Sequence, residues 1–149
     1  MLSAPGTPRS IMTLTRADLP RAVAGYIKKG AWNKADILLV EAVEGRFAVK
    51  DYAAKIAPIR WAGIPQLGRE EKAYRRLTGV AGVPRFTRRL DRNAIIMEYV
   101  GGIRLPKFHR RHGGVPRVAQ RLKDLLGEVH ARGIIHGDLR SRDNILVTP

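Results

Sequence analysis

The stretch ADILLVEAVEGRFAVKDYA, residues 35 to 53, decides how the chain is read. Two apolar runs, Ile37 to Val40 and Phe47 to Tyr52, flank Glu44-Gly45. Runs of this length around a Gly-containing break predict a β-hairpin with Glu44-Gly45 as its turn. Side chains alternate along a strand, so Ala48, Lys50 and Tyr52 share one face. A lone strand lysine is ordinarily solvated. Here the small Ala48 beside Lys50 makes a flat apolar patch next to a fixed cation, which suits a planar base with its phosphates.

Outward from the hairpin, residues 1–13 read as a loose tail rich in Ser, Pro, Gly and Thr. ADLPRAVAGYIKKG (17–30) predicts a helix capped by Asp18, with Pro20 in its first turn and Gly30 at its end. On the other side, IPQLGREEKAYRRLTG (64–79) predicts a helix with Leu67, Tyr74 and Leu77 on one side. Glu70 and Glu71 lie early in it. Either carboxylate could pair with Lys50, and either fits an exposed acidic turn favoured by the helix dipole. Two short strands follow around Asp91-Arg92-Asn93, the second running from Ala94 to Val100. GGIRLPKFHRRHGGVP reads as a Gly- and Pro-punctuated connector. From Pro116 to Arg132 the positions Val118, Leu122, Leu125, Leu126 and Val129 make an amphipathic helix that Gly133 can end. The expected class is α+β: a small sheet with one crossing helix over 14–100, then a helical region over 101–149, with Gly101-Gly102 at the boundary.

Composition bounds the chemistry. The 149 residues are 44% hydrophobic, enough for a core, and include no cysteine, so disulfides and thiolate metal sites are excluded. No apolar stretch reaches signal-peptide or membrane-span length, which points to a cytoplasmic protein. Lys and Arg number 28 against 13 Asp and Glu, giving a net charge of +15. Such a field attracts anions, including nucleotide phosphates and an anionic membrane surface, although a dispersed solvated surface accounts for it equally well. Aromatics are only 6% and no nucleic-acid reader motif is present, so no nucleic acid partner is expected.

The second chemical stretch is HGDLRSRDNILV, residues 136 to 147. Alone it reads as a polar turn before a strand. Its side chains also supply what phosphoryl transfer requires. Asp138 can accept a proton from a hydroxyl, Asn144 can hold a metal through its amide oxygen, and Arg140 can neutralise phosphoryl charge. His136 reads as a structural hydrogen-bonder.

Taken together these motifs resemble the protein-kinase superfamily in their order and spacing. FAVK resembles the strand motif V-A-I-K, and REEKAYRRL resembles the helix that carries the partner Glu. A leucine is expected seven residues on; Leu77 answers to Glu70, which favours Glu70 over Glu71. AIIMEYV looks like the hinge, with Met97 as gatekeeper and Glu98 to Val100 along the adenine edge. LLGEVHARGIIHGDL resembles the helix leading into the catalytic loop. HGD in place of H-R-D points to atypical bacterial branches. NKADILLV is similar to the phosphate loop of RIO kinases, and DLRSRDNILV to RIO-like and lipopolysaccharide-kinase-like proteins. The resemblance implies an ATP- and Mg²⁺-dependent kinase acting on a protein Ser/Thr or a sugar hydroxyl of a glycolipid. Lys50 would grip phosphates, Glu70 would orient it, and Ala48, Met97, Glu98 and Val100 would line the base. It also implies that Lys50 and Asp138 face one nucleotide-sized cleft.

Three departures qualify the resemblance. The phosphate loop has Gly30 but no G-x-G-x-x-G, so Lys34 is expected to supply charge instead. Asp138 and Asn144 are six positions apart where the kinase pattern has five, which puts Asp143 at the usual spacing. Asn144 is preferred because NILV runs straight into a strand. No D-F-G follows, so a second metal-binding Asp is absent from this sequence, and a truncated pseudokinase serving as a nucleotide- or partner-binding module is the alternative.

Overall fold

The computed structural model describes residues 8–113, 116–135 and 144–148. Its elements are α1 (Leu19–Ala22), β1 (Val23–Lys28), β2 (Asp36–Ala42), β3 (Gly45–Asp51), α2 (Ala57–Arg76), β4 (Phe86–Asp91), β5 (Ala94–Glu98), β6 (Ile103–Arg104), α3 (Leu105–His112), α4 (Pro116–Ala131) and β7 (Leu146–Val147). By contacts, residues 8–75 with 84–99 form one unit, and 76–83 with 100–148 form another. The connector at Gly101-Gly102 thus lies just inside the second unit, and the segment after α2 belongs with it.

The first unit is an antiparallel five-stranded sheet in the order β1-β2-β3-β5-β4. Period-two patterning gives it two apolar faces. On one, Leu38, Val40, Val49, Ala94 and Ile96 are buried together with Ile11, Leu14 and Leu19. On the other, Ala48, Tyr52, Ile95 and Met97 are buried against Leu67 of α2. Sheet faces covered on both sides explain why β5 reads as a continuous apolar run rather than an alternating one.

The structure corrects several sequence expectations. The predicted helix at 17–30 is helical only from Leu19 to Ala22; Val23–Lys28 is a strand paired with β2. Its residues alternate between half-buried and exposed, and Val23, Gly25 and Ile27 all disfavour a helix while Val and Ile fit a pleated surface. In the hairpin, Ala42 pairs with Gly45, so the two-residue loop is Val43-Glu44 rather than Glu44-Gly45. Gly45 opens β3 at φ +127°, a conformation L side chains rarely adopt.

The expected loose tail is held in place from Arg9 onward, whose carbonyl accepts the Val43 N–H at 3.1 Å. Ile11 and Leu14 are buried, Ile11 N–H donates to Glu44 Oε2 at 2.8 Å, and the Ser10 hydroxyl donates to the same carboxylate. Arg88 donates to the carbonyls of Ile11 and Leu14.

Helix α2 begins at Ala57, seven residues before the expected start at Ile64. Pro65 therefore lies inside the helix rather than in its first turn. The preceding turns carry their own inward residues, Ile59 and Gly63. Gly63 is required by close approach: a Cβ there would lie 2.5 Å from Tyr52 Cγ. Gly63→Ala is therefore expected to destabilise the first unit by about 1–3 kcal/mol through overpacking. The urea midpoint followed by Trp32 and Trp61 fluorescence would read this, and an unchanged midpoint would show that α2 shifts freely.

In the second unit, the connector is not irregular throughout. Ile103–Arg104 pairs with Leu146–Val147, and Leu105–His112 is a helix with Pro106 in its first turn and Gly113 (φ +73°) just past its end. Leu105 N–H donates to Ile145 O at 2.9 Å. The five apolar positions of α4 are its less exposed ones, and Val129 is buried with Leu77 and Val80. Leu77 thus serves this core rather than the α2 face shared by Leu67 and Tyr74. Arg132 donates to the carbonyls of Arg76 and Thr78 at 3.0 and 2.9 Å.

Candidate functional site

Strand β3 projects Ala48 and Lys50 onto the sheet face that α2 covers, and Tyr52, just past its end, lies in the same buried cluster as Ala48. Ala48 pairs with Met97 of β5, and both are buried; Lys50 pairs with Ile95. Lys50 Nζ lies 2.6 and 2.7 Å from the two carboxylate oxygens of Glu70, with both side chains about a quarter exposed. The ammonium is thereby fixed beside the Ala48–Met97 apolar surface. Glu71, the other carboxylate considered, turns elsewhere: it accepts from Arg75 at 2.9 Å and Arg89 at 3.0 Å. Burial pushes the Glu71 carboxyl up, but the two guanidinium contacts outweigh it and hold it below its usual range.

Two phenols flank Glu70. Tyr52 donates from its hydroxyl to Gln66 Oε1 at 3.0 Å, and Gln66 Nε2 donates to Glu70 Oε1 at 3.3 Å. Burial and the Glu70 charge push the Tyr52 phenol up, and push the Tyr74 phenol up to about 12. Both therefore stay neutral near neutral pH, and neither adds a negative charge beside Glu70.

The segment between β1 and β2 is a tied loop. Gly30 N–H donates to Asp36 Oδ1 at 2.9 Å, and Lys55 Nζ donates to the same oxygen at 2.9 Å and to Gly30 O at 3.3 Å. A Cβ on Gly30 would lie 2.2 Å from Ala35 O. Lys34 and Trp32 are exposed on this loop.

Glu98 accepts the Arg85 N–H at 3.1 Å through Oε2, and its own N–H donates to Arg85 O at 2.8 Å. Val100, half-buried, begins the part of the chain assigned to the second unit. Asn144 is exposed and lies two residues before Leu146, where the pairing with β6 begins. Asp138, Arg140, His136 and Asp143 lie outside the described residues. Among the described residues no cluster of three or more His, Asp or Glu could hold a metal ion.

Sequence reasoning missed the clamp on the opposite face. Arg16 bonds Asp51 Oδ1 at 3.1 Å and Asp91 at 2.7 and 2.9 Å, tying the N-terminal segment to β3 and to the β4–β5 turn. Burial pushes the Asp91 carboxyl up, but Arg16 and the Asn93 N–H hold it below its usual range. A carboxyl held down in the folded state stabilises it above the unfolded pKa and loses that contribution as pH falls through the folded one. The urea midpoint is thus expected to stay level from neutrality to about pH 5 and to fall below about pH 4. Arg16→Gln should lower the midpoint at neutral pH and flatten that acid limb; a steeper limb would exclude Arg16 as its source.

A family model of the RIO domain matches residues 44–149. The chain belongs to the RIO domain family. This RIO domain chain has a protein-kinase-like fold: the kinase domain of Mycobacterium tuberculosis PknI superposes with a TM-score of 0.56 at 20% identity, covering 99% of this chain and 60% of that one. A double mutant of the same kinase domain gives 0.52 at 23% identity, covering 85% and 55%. The RIO domain chain therefore spans about 60% of the length of that matched kinase domain. No curated protein sequence matches it. Among its described residues no helix is long and apolar enough to cross a membrane.

Proposed function

We propose that this chain carries the nucleotide-gripping part of an ATP-dependent phosphotransferase. The observation that supports the reading is the Lys50–Glu70 pair, with both carboxylate oxygens on one ammonium, beside the buried Ala48–Met97 surface. In this reading Lys50 binds the α and β phosphates and Glu70 orients it. Ala48 and Met97 meet the base, whose edge is held by the backbone of Glu98 to Val100. Lys34 adds positive charge at the loop. Asp138 receives the proton of the acceptor hydroxyl and Arg140 neutralises the transferring phosphoryl group. Asn144 would hold Mg²⁺, which when bound neutralises phosphate charge. The acceptor is a hydroxyl, of a protein Ser/Thr or of a sugar in a glycolipid. The net charge of +15 supports peripheral attraction to an anionic membrane surface.

The test is a calorimetric titration with ATP, with and without magnesium, beside a phosphotransfer assay on the whole protein. Asp138→Asn is expected to abolish transfer while leaving ATP affinity within about twofold, since a proton acceptor acts on chemistry rather than on nucleotide binding. Undiminished turnover would remove Asp138 from the mechanism. Magnesium-dependent binding without any turnover in the unsubstituted protein would establish the nucleotide-binding module instead.

A further inference from the structure

The Lys50–Glu70 pair is the end of a longer hydrogen-bonded chain. From Glu70 Oε1 it runs to Gln66 Nε2 and from Gln66 Oε1 to the Tyr52 hydroxyl, and the buried Tyr52 shares a core cluster with Ala35, in the loop between β1 and β2. The order of donors is forced. An ionised Glu70 only accepts, so the amide must turn its NH₂ toward it; its carbonyl oxygen then faces Tyr52, whose hydroxyl must donate. Each group thus fixes the orientation of the next. Gly63 lets the Tyr52 ring sit directly on α2, which brings the phenol within reach of Gln66. The other end of the loop is fixed separately, by Lys55 and Asp36 on Gly30.

We propose that Tyr52 and Gln66 are positioning residues that couple the 29–35 loop to the Lys50–Glu70 pair, so that strand and helix hold the ammonium and its carboxylate in one fixed arrangement before any ligand arrives. This rests on reading Lys50 as a phosphate-gripping cation. The role of the two residues is to hold Glu70 aligned on Lys50. Glutamine alone among common side chains of its length offers an acceptor to the phenol and a donor to the carboxylate at once; glutamate at 66 would set a second negative charge against Glu70.

The test is pulsed amine acylation of the whole protein without nucleotide, with labelling at each lysine measured by mass spectrometry. Lys72, exposed on α2, is the internal reference, and Lys55, held by Asp36, reports on the integrity of the fold. Glu70→Gln sets the rate of a released Lys50. Tyr52→Phe keeps the ring on Gly63 and removes only the hydroxyl; Gln66→Leu breaks the chain at its middle. Each is expected to raise Lys50 labelling relative to Lys72 by about fivefold, the effect of one lost hydrogen bond, with Lys55 unchanged. Lys50 labelling at the unsubstituted rate in both variants would overturn the proposal. So would a rise at Lys55 matching that at Lys50, which would mean that the substitutions loosen the fold as a whole. A rise in Gln66→Leu alone would remove Tyr52 and the coupling to the loop. The measurement is separable from the nucleotide reading: an unsubstituted protein that binds no ATP defeats that reading and leaves the labelling result standing.

Discussion

Asp36→Ala is expected to destabilise the first unit by about 3–5 kcal/mol, the range for removing one partner of a buried ion pair. The Lys55 and Asp36 side chains are only 12% and 9% exposed, and Asp36 Oδ1 is the shared acceptor for Lys55 Nζ and Gly30 N–H. Without the carboxylate, the ammonium keeps only the 3.3 Å contact to Gly30 O, and the Gly30 N–H loses its acceptor. A surface pair would be worth well under this, because water would replace the lost partner. The chain holds two tryptophans, Trp32 on the tied loop and Trp61 on α2, so fluorescence reports on the first unit alone. The urea midpoint should fall at constant slope, and the thermal midpoint by roughly 10 °C. Asp36→Asn keeps an acceptor oxygen and should lose less. A midpoint for Asp36→Ala within about 1 kcal/mol of the unsubstituted protein would show that the loop is not held by this pair.

How much of this was legible in the sequence follows from the range of each interaction. The hairpin and the two strands around Asp91 to Asn93 carry their signal locally, in period-two apolar runs broken by polar turns. The Glu70 position follows from its spacing to Leu77, although Leu77 turns out to serve the second core. Gln66 sits four residues before Glu70, a spacing that puts both on one helix face, so it could have been found. Nothing local marks Arg16 as the partner of Asp51 and Asp91, which are 35 and 75 residues away. Nor does anything local mark Lys55 as the partner of Asp36. Strand β1 reads as a helix in the sequence because Asp18, Pro20 and Gly30 imitate helix ends, whereas pairing with β2 decides its conformation. Helix α3 was hidden because glycines and prolines that bound a short helix look the same as those of a loop. The protein-kinase-like fold was recoverable from motif order. The roles of Asp138 and Arg140 rest on that order alone.

The largest functional effect is expected at Lys50. Lys50→Met keeps a side chain of similar length against Ile95 and the Ala48–Met97 surface and removes the charge. A preorganised donor to a charged group in phosphoryl transfer is worth on the order of 10²–10³ in rate, so transfer should fall by that factor. Stability should change by no more than about 1 kcal/mol, because a pair this exposed adds little to folding. Glu70→Gln should lose less, since the lysine remains and only its alignment suffers. The decisive quantity is the double variant. If Glu70 acts only through Lys50, removing it from a protein that already lacks the ammonium changes nothing further, and the two losses are strongly non-additive. Losses that multiply would give Glu70 a role of its own, for instance toward a metal. Rates of Lys50→Met indistinguishable from the unsubstituted protein would sink the phosphate-gripping role altogether and leave the ion pair as a fastening between β3 and α2.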